Sequence, residues 1–296
     1  ALGTGFLIEH RGTFVLTNDH IAGAAPELEV VPADGASARA KIIGRDPTLD
    51  VALLQIDVPR LPTLRLGESA ELQVGEWVLA LGNPFGDEVT ATAGIVQATG
   101  RQTAASLHTG TAVLYRSYLQ TDADIHRGNS GGPLFNARGE VIGINSQILS
   151  GSGGYMGLSF AIPINTANLI AQQLADKGFV ERGFLGIQFQ AVTGSHARAF
   201  GLDRPRGALV ASVEPDGPAD QAGIQSGDIV LSYNGKQLES SGELPPLVGA
   251  TPVGAKVKVE VLREGKTREF TVAIGKLDEQ AAADIGSRGR GSAPAE

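Results

Sequence analysis

Short apolar runs, each cut off by glycine, proline, asparagine or aspartate, fill the chain from Gly3 to about Ile162. "GTFVLTN", "LEVVPA", "ARAKIIGRD", "VALLQI", "EWVLALG", "TAGIVQATG", "EVIGINS" and "GLSFAIP" are the clearest. None is long enough for an ordinary helix, and the turn residues recur too often for alternating strand and helix. That punctuation confines the first half to an all-β barrel or sandwich. Composition agrees: glycine fills 40 of 296 positions, roughly double the usual share of about 7%, and such an excess serves tight turns and bulges.

The pattern changes at "PINTANLIAQQLADKG". Asn165 reads as an N-cap, Ile170 and Leu174 share a face, Lys177 sits in the last turn, and Gly178 is a stop. A second unit follows, holding "GALVASVEPDGPADQAGIQSGDIVLSYNGKQL" and the hairpin "KVKVEVLREGKTREFTVAI". The expected organisation is a first domain over 1–165, a helical linker over 166–182, a second domain over 183–277 and a flexible tail over 278–296.

Several function classes drop out on composition. A net charge of −8 offers no basic stripe for phosphates, so no nucleic-acid partner is expected. With no cysteine, a disulfide framework, a thiolate metal site and a cysteine nucleophile are excluded. No apolar run approaches the roughly 18 residues of a membrane span. The opening "ALGTGFLIEH" has neither a basic n-region nor an apolar h-region, so no signal peptide is expected within this sequence. Its abrupt start inside a strand-like run points to native sequence upstream. No HExxH is present, "GATPVGAK" lacks the GK[ST] of a phosphate loop, and "GSGGYMG" is too weak for a dinucleotide site. No metal and no cofactor are expected. His10, His108 and His196 read as surface residues, and Trp77 as barrel core.

One constellation carries chemistry. In "HRGNSGGPLF", His126 to Phe135, glycines surround a single serine. A nucleophilic hydroxyl must project from a sharp turn while nearby N–H groups converge on the carbonyl oxygen under attack. The N–H groups of Gly128 and Ser130 suit that oxyanion hole, where one donor is worth about 3–4 kcal/mol in the transition state. Serine needs a histidine base and a carboxylate to orient it. His20, in "VLTNDHIAGA", and Asp50, in "DPTLDVALLQI", stand upstream in the order His, Asp, Ser. "GNSGG" also fits the G-x-S-x-G elbow of α/β-hydrolases. There the acid and histidine follow the serine on a parallel sheet, and neither condition holds.

"TNDHI", "TLDVALL", "ALGNPFG", "QTDADIHRGNSGGPL" and "GLSFAIP" together resemble the trypsin-like domain of the HtrA (Deg) family of ATP-independent serine proteases. The unit that follows resembles that family's PDZ module. The resemblance implies a mainly β fold, with a trypsin-like double β-barrel of two six-stranded barrels ahead of a small PDZ-like domain. It makes His20 the general base, Asp50 its orienter and Ser130 the nucleophile. Gly128, Asn129 and Ser130 become the oxyanion-hole backbone. It assigns a sensor loop to 101–117 and a specificity-pocket loop to "SQILSGSGGYMG". Ser159, Phe160 and Ala161 become an edge strand for substrate backbone, and Ile125, Ile144 and Phe160 line a modest apolar S1 pocket. His126 departs from the family's usual asparagine. It is expected to be a loop histidine hydrogen-bonded to backbone.

"RGFLGIQ" resembles the PDZ carboxylate-binding loop, in which the N–H groups of Leu185, Gly186 and Ile187 cradle a peptide C-terminus. Leu185, Ile187 and Phe189 then share one face for the last apolar side chain, and Arg182 is an accessory for the carboxylate. "SSGELPPLVGATPVG" is expected to give a short groove helix, with Pro245 and Pro246 in its first turn. The resemblance further implies unfolded polypeptide substrates, C-terminal peptide ligands, a homotrimer or larger homo-oligomer, and the periplasm or cell envelope of a bacterium. The competing reading is a peptide-binding chaperone or scaffold with a silent protease domain. Fluorophosphonate labelling separates the two.

Overall fold

The computed structural model describes residues 2–23, 27–32, 35, 37–57, 61–83, 89–101, 117–126, 128–148 and 157–277. The sensor-loop segment beyond 101, most of the specificity-pocket loop and the tail from 278 lie outside the described residues. The chain divides into two compact units with the main boundary between Val180 and Glu181.

In the first unit, strands β1 (Phe6–Glu9), β2 (Thr13–Thr17), β3 (Leu28–Val30), β4 (Ala38–Asp46) and β5 (Val51–Ile56) form a five-stranded antiparallel sheet, order β1-β2-β5-β4-β3. A one-turn helix, α1 (Asp19–Ala22), follows β2 directly. The next six strands are β6 (Trp77–Gly82), β7 (Thr90–Arg101), β8 (Tyr118–Thr121), β9 (Pro133–Asn136), β10 (Val141–Ile148) and β11 (Ser159–Pro163). They close a barrel in the order β10-β11-β8-β7-β6-β9. Among the described residues this is the barrel that closes. The β1 edge of the other sheet is covered by the segment around Leu64, whose N–H donates to Leu7 O at 2.8 Å. That segment continues to β10 through Val141 N–H to Arg65 O, also 2.8 Å.

Helix α2 (Ile164–Lys177) belongs to this unit. Ile164, Ala167, Ile170, Ala171 and Leu174 recur at helical spacing and enter the core cluster of Leu16, Leu53, Val141 and Ile144. The stretch 166–182, expected as a linker, therefore contributes most of its length to the first core. Gly178 ends the helix at φ 80°, its N–H donating to Leu174 O. Asn165 does not cap it. The helix starts at Ile164 after Pro163, and the Asn165 side chain instead accepts the Ser69 N–H at 3.0 Å. Trp77 is likewise not core: it is 67% exposed. Strand alternation turns Val78, Ala80 and Gly82 inward and leaves Trp77 and Leu79 outward.

In the second unit, β12 (Gly183–Phe184) pairs with β19 (Gly275–Lys276). The main sheet runs β13 (Ile187–Ala191), β14 (Ala208–Val213), β15 (Ile229–Tyr233), β17 (Lys256–Arg263), β18 (Lys266–Ala273), with β16 (Lys236–Gln237) beside β15. Three short helices complete it: α3 (Gly194–Phe200), α4 (Pro218–Ala222) and α5 (Leu244–Ala250). Helix α5 is the expected short one, with proline in its first turn. His196 serves α3 in a capping box, its N–H donating to Thr193 Oγ1 and its Nδ1 accepting the Thr193 N–H. Among the described residues no helix is long and apolar enough to cross a membrane.

Candidate active site

His20 stands on α1, directly after a strand whose Leu16 is fully buried. Asp50 ends the turn between β4 and β5 at φ 59°, a left-handed conformation that aspartate tolerates better than most side chains. The turn is pinned from the histidine side: Asn18 Nδ2 donates to Asp50 O at 2.9 Å, and the His20 N–H donates to Asp50 Oδ1 at 2.9 Å. His20 Nδ1 then lies 2.9 Å from Oδ1 and 2.8 Å from Oδ2. A carboxylate only accepts, so this contact places the ring proton on Nδ1 and leaves the Nε2 lone pair for chemistry. The bond to Asp50 raises the proton affinity of His20 above that of an ordinary histidine. Partial burial opposes this, and the charges of Asp50 and then Asp19 reinforce it.

Ser130 sits in the turn between the 122–126 segment and β9. Gly128 precedes it at φ 101° and Gly131 follows at φ 85°. Gly131 is required on two grounds. Its φ is left-handed, and a Cβ there would come 2.1 Å from Thr4 O and 2.3 Å from Thr17 Oγ1. Thr4 is the buttress of this turn: its N–H donates to Ser130 O at 3.0 Å and its Oγ1 donates to Gly128 O at 2.7 Å. Thr17 Oγ1 in turn donates to Thr4 O at 2.6 Å.

Ser146 on β10 joins the two halves of the site. Its hydroxyl donates to Asp50 Oδ2 at 3.1 Å, and its carbonyl accepts the Ser130 hydroxyl at 3.1 Å. His20 and Asp50 are thus in direct contact, while Ser130 Oγ reaches the pair through Ser146. No hydrogen bond joins Ser130 Oγ to His20.

The expected oxyanion hole needs one correction. The Asn129 N–H donates to His126 O at 3.0 Å, closing the turn, so it is not available to an oxyanion. Among the described residues neither the Gly128 nor the Ser130 N–H donates to a backbone carbonyl. His126 also differs from expectation. Its Nε2 pairs with Asp124 Oδ2 at 2.9 Å, and among the described residues its ring has no backbone partner.

The S1 candidates are buried side chains. Ile125 and Ala161 pack with Val78, Leu134 and Ile142 inside the barrel, and Ile144 and Phe160 join the cluster shared with α2. Ser159 is fully buried as well. Ser159 to Ala161 are not an edge: β11 pairs with β10 on one side and β8 on the other. Closing the barrel consumes both of its backbone edges.

In the second unit Gly186 takes φ 79°. Its carbonyl accepts the Glu214 N–H, and Leu185 O accepts the Ala219 N–H, both at 2.9 Å. Among the described residues the Leu185 and Gly186 N–H groups donate to no backbone carbonyl. Leu185 is buried in the unit's core, with Ile187 and Phe189 packed against the same cluster. Strand β13 closes one end of the sheet, paired only with β14 among the described strands. Arg182 is buried, its carbonyl accepting the Leu277 N–H.

Sequence reasoning missed Ser146 and Thr4. The signal for Ser146 was two polar residues, Asn145 and Ser146, closing an otherwise apolar run; both are buried. Thr4 offered none.

Known proteins match both units. A trypsin-like peptidase domain is matched over residues 3–144 and a PDZ domain over residues 183–274. The solved structure titled HtrA-type protease AlgW with tripeptide superposes with a TM-score of 0.78 at 38% identity, covering 93% of this chain and 89% of that one. The chain belongs to the HtrA family. A serine endoprotease from Yersinia pestis, another solved structure, gives a TM-score of 0.64 at 34% identity over 93% of this chain and 89% of that one. Curated relatives called probable periplasmic serine endoprotease DegP-like come from Ectopseudomonas mendocina, 51% identical over 280 residues, and Halomonas elongata, 46% identical over 289. These alignments cover 95% and 98% of this chain but 57% and 59% of the relatives. The HtrA resemblance therefore extends through both units, and the chain spans under two thirds of those relatives' length.

Proposed function

We propose that this HtrA chain is an ATP-independent serine endopeptidase that degrades unfolded polypeptide in the periplasm. The observation that carries the reading is the His20–Asp50 contact, with Nε2 left unprotonated and Ser146 linking that pair to the Ser130 turn. Ser130 Oγ leaves the Ser146 carbonyl, gives its proton to His20 Nε2 and attacks the peptide carbonyl. The Gly128 and Ser130 N–H groups hold the oxyanion of the tetrahedral intermediate. His20 then protonates the departing amine, and water, deprotonated by the same imidazole, releases the acyl group from Ser130. Asp50 stabilises the imidazolium throughout and keeps its own charge.

The unit over 183–277 is the peptide reader. The free edge of β13 accepts a C-terminal segment as an added strand, and the N–H groups at Leu185 and Gly186 receive the carboxylate. Two solved structures of one relative support this: AlgW is seen with a tripeptide and with a decapeptide. The periplasmic location follows the names of the curated relatives, and a homotrimer follows the family resemblance. Cleavage of casein and fluorophosphonate labelling test the enzyme reading. Both should occur in the parent and vanish in a folded Ser130→Ala variant. Casein cleavage that survives this substitution overturns it, as does a parent that neither cleaves nor labels.

A further inference from the structure

The turn that carries His20 is gripped from its far side by an ion pair that the reaction above does not use. Asp19, which precedes His20, is buried at 8% exposure. Arg45, near the end of β4, donates from Nε to Asp19 Oδ1 at 2.5 Å and from Nη2 to Oδ2 at 3.3 Å. This two-pronged fit is one that lysine does not reproduce. The guanidinium lies across the end of α1: a Cβ on Gly23 would come 1.9 Å from Nη2 and 2.6 Å from Cζ. A bare glycine at 23 is what lets the fork seat there.

The far end of this clamp is the strand pair that presents Asp50. Arg45 stands opposite Ala52 and Asp46 opposite Val51 in the β4–β5 register, and Asp50 is the residue immediately before β5. One charge pair thus ties the turn bearing the histidine to the strands bearing its carboxylate partner. The strands packed against α1 are β4 and β5. Strand β5 has no charged residue. At the near end of β4 the other charge is Asp46, which is buried and accepts the Thr48 N–H at 3.1 Å. Arg39 and Lys41 belong to the far end of that strand, beside Gln55 and Asp57. Among the described residues the charges that act on the imidazole are Asp50 and Asp19, the latter paired with Arg45.

We propose that Asp19 and Arg45 are positioning residues of this site: Arg45 fixes the His20 turn against β4 and compensates the carboxylate charge that stands beside the base. The inference rests on reading His20 as the general base. An uncompensated Asp19 favours the imidazolium and withholds the neutral base near neutrality. Asp19 is already among the charges that raise the proton affinity of His20, ranked after Asp50. Its hydrogen bond in turn holds the Arg45 guanidinium protonated more firmly than usual.

The test is a titration of the His20 imidazole by nitrogen-15 NMR in the full chain carrying Ser130→Ala, so that the readout needs no proteolysis. Arg45→Gln should move the His20 midpoint up by about half a pH unit, and Asp19→Asn should move it down by a similar amount. The double variant should return close to the parent. Arg45→Lys, which keeps the charge but not the fork, should hold the parent midpoint while lowering kcat in the Ser130 enzyme. Midpoints unmoved in folded Arg45→Gln and Asp19→Asn proteins overturn the proposal. An upward shift of about half a pH unit in Arg45→Lys overturns it also, and this arm remains if the glutamine variant does not fold. In the Ser130 enzyme the acid limb of kcat/KM should follow the imidazole midpoints. Imidazole shifts as expected in a chain without protease activity would sink the proposed function and leave this inference standing.

Discussion

At the scale of single residues, the site's pH behaviour follows from one contact. Asp50 raises the proton affinity of His20, and a general base must be neutral, so the acid limb of kcat/KM should fall above pH 6.5, the ordinary histidine value. Asp50→Asn should lower kcat by about 10⁴-fold and move that limb to lower pH. Stability carries the same sign. A value raised on folding contributes fully below the unfolded value and fades as pH climbs through the folded one. The melting temperature lost in Asp50→Asn should therefore be larger near about pH 5.5 than near about pH 8.5. Ser146 gives a second check. Ser146→Ala removes the donor to Asp50 Oδ2 but keeps the carbonyl that accepts Ser130. We expect kcat to fall about tenfold with KM nearly unchanged, since only the orientation of the carboxylate is loosened. His20, Asp50 and Ser130 were legible because each sits in a local motif whose residue types have few other uses. Thr4 acts only through partners far along the chain, which no local pattern announces, and Ser146 left only the polar break that it and Asn145 make in an apolar run.

At the scale of elements, strand alternation and turn chemistry were readable, while caps and faces were decided by neighbours. The sequence offers Asn165 as a cap, yet that side chain is spent on Ser69 and the helix begins behind Pro163. Aromatic bulk suggested Trp77 for the core, but on β6 it falls on the outward parity, and parity outweighs hydrophobicity when the inward positions are already filled. The family resemblance made Ser159–Ala161 an edge strand; barrel closure gives it two partners. The turn around Ser130 provides the prediction at this scale. Ala at position 131 meets both a left-handed φ and the rigid Thr4 carbonyl, so neither side can yield cheaply. Gly131→Ala should destabilise the first unit by about 2 kcal/mol or more and abolish fluorophosphonate labelling, because relief requires the Ser130 turn to move. Urea unfolding monitored by circular dichroism reads the first effect. Labelling of the variant, at a urea concentration where it stays folded, reads the second.

At the scale of the whole molecule, two cores of different design serve two tasks. The first unit closes β6 to β11 into a barrel, which suits a rigid frame for the Ser130 turn and Ser146. The second leaves β13 at the end of its sheet, and an exposed edge is either a hazard or a receptor. The division into a β-rich unit, a helix and a smaller β-containing unit was readable from punctuation alone. The helix was legible as well, from Ile170 and Leu174 on one face and the Gly178 stop, and that face packs into the first core. The receptor reading makes a sharp demand. A peptide added to β13 gains backbone hydrogen bonds whatever its terminus, whereas the loop at Leu185 and Gly186 rewards only a free carboxylate. A fluorescent peptide ending in an apolar residue should therefore bind the full chain. Its C-terminal amide should bind at least about tenfold more weakly, the loss of one charge-assisted set of N–H contacts. Fluorescence anisotropy measures both. Equal affinities would mean that β13 is a bare edge and the loop an ordinary turn. Undetectable binding of every apolar-ended peptide would remove the peptide reader from the proposed function and leave the catalytic half to stand on its own geometry.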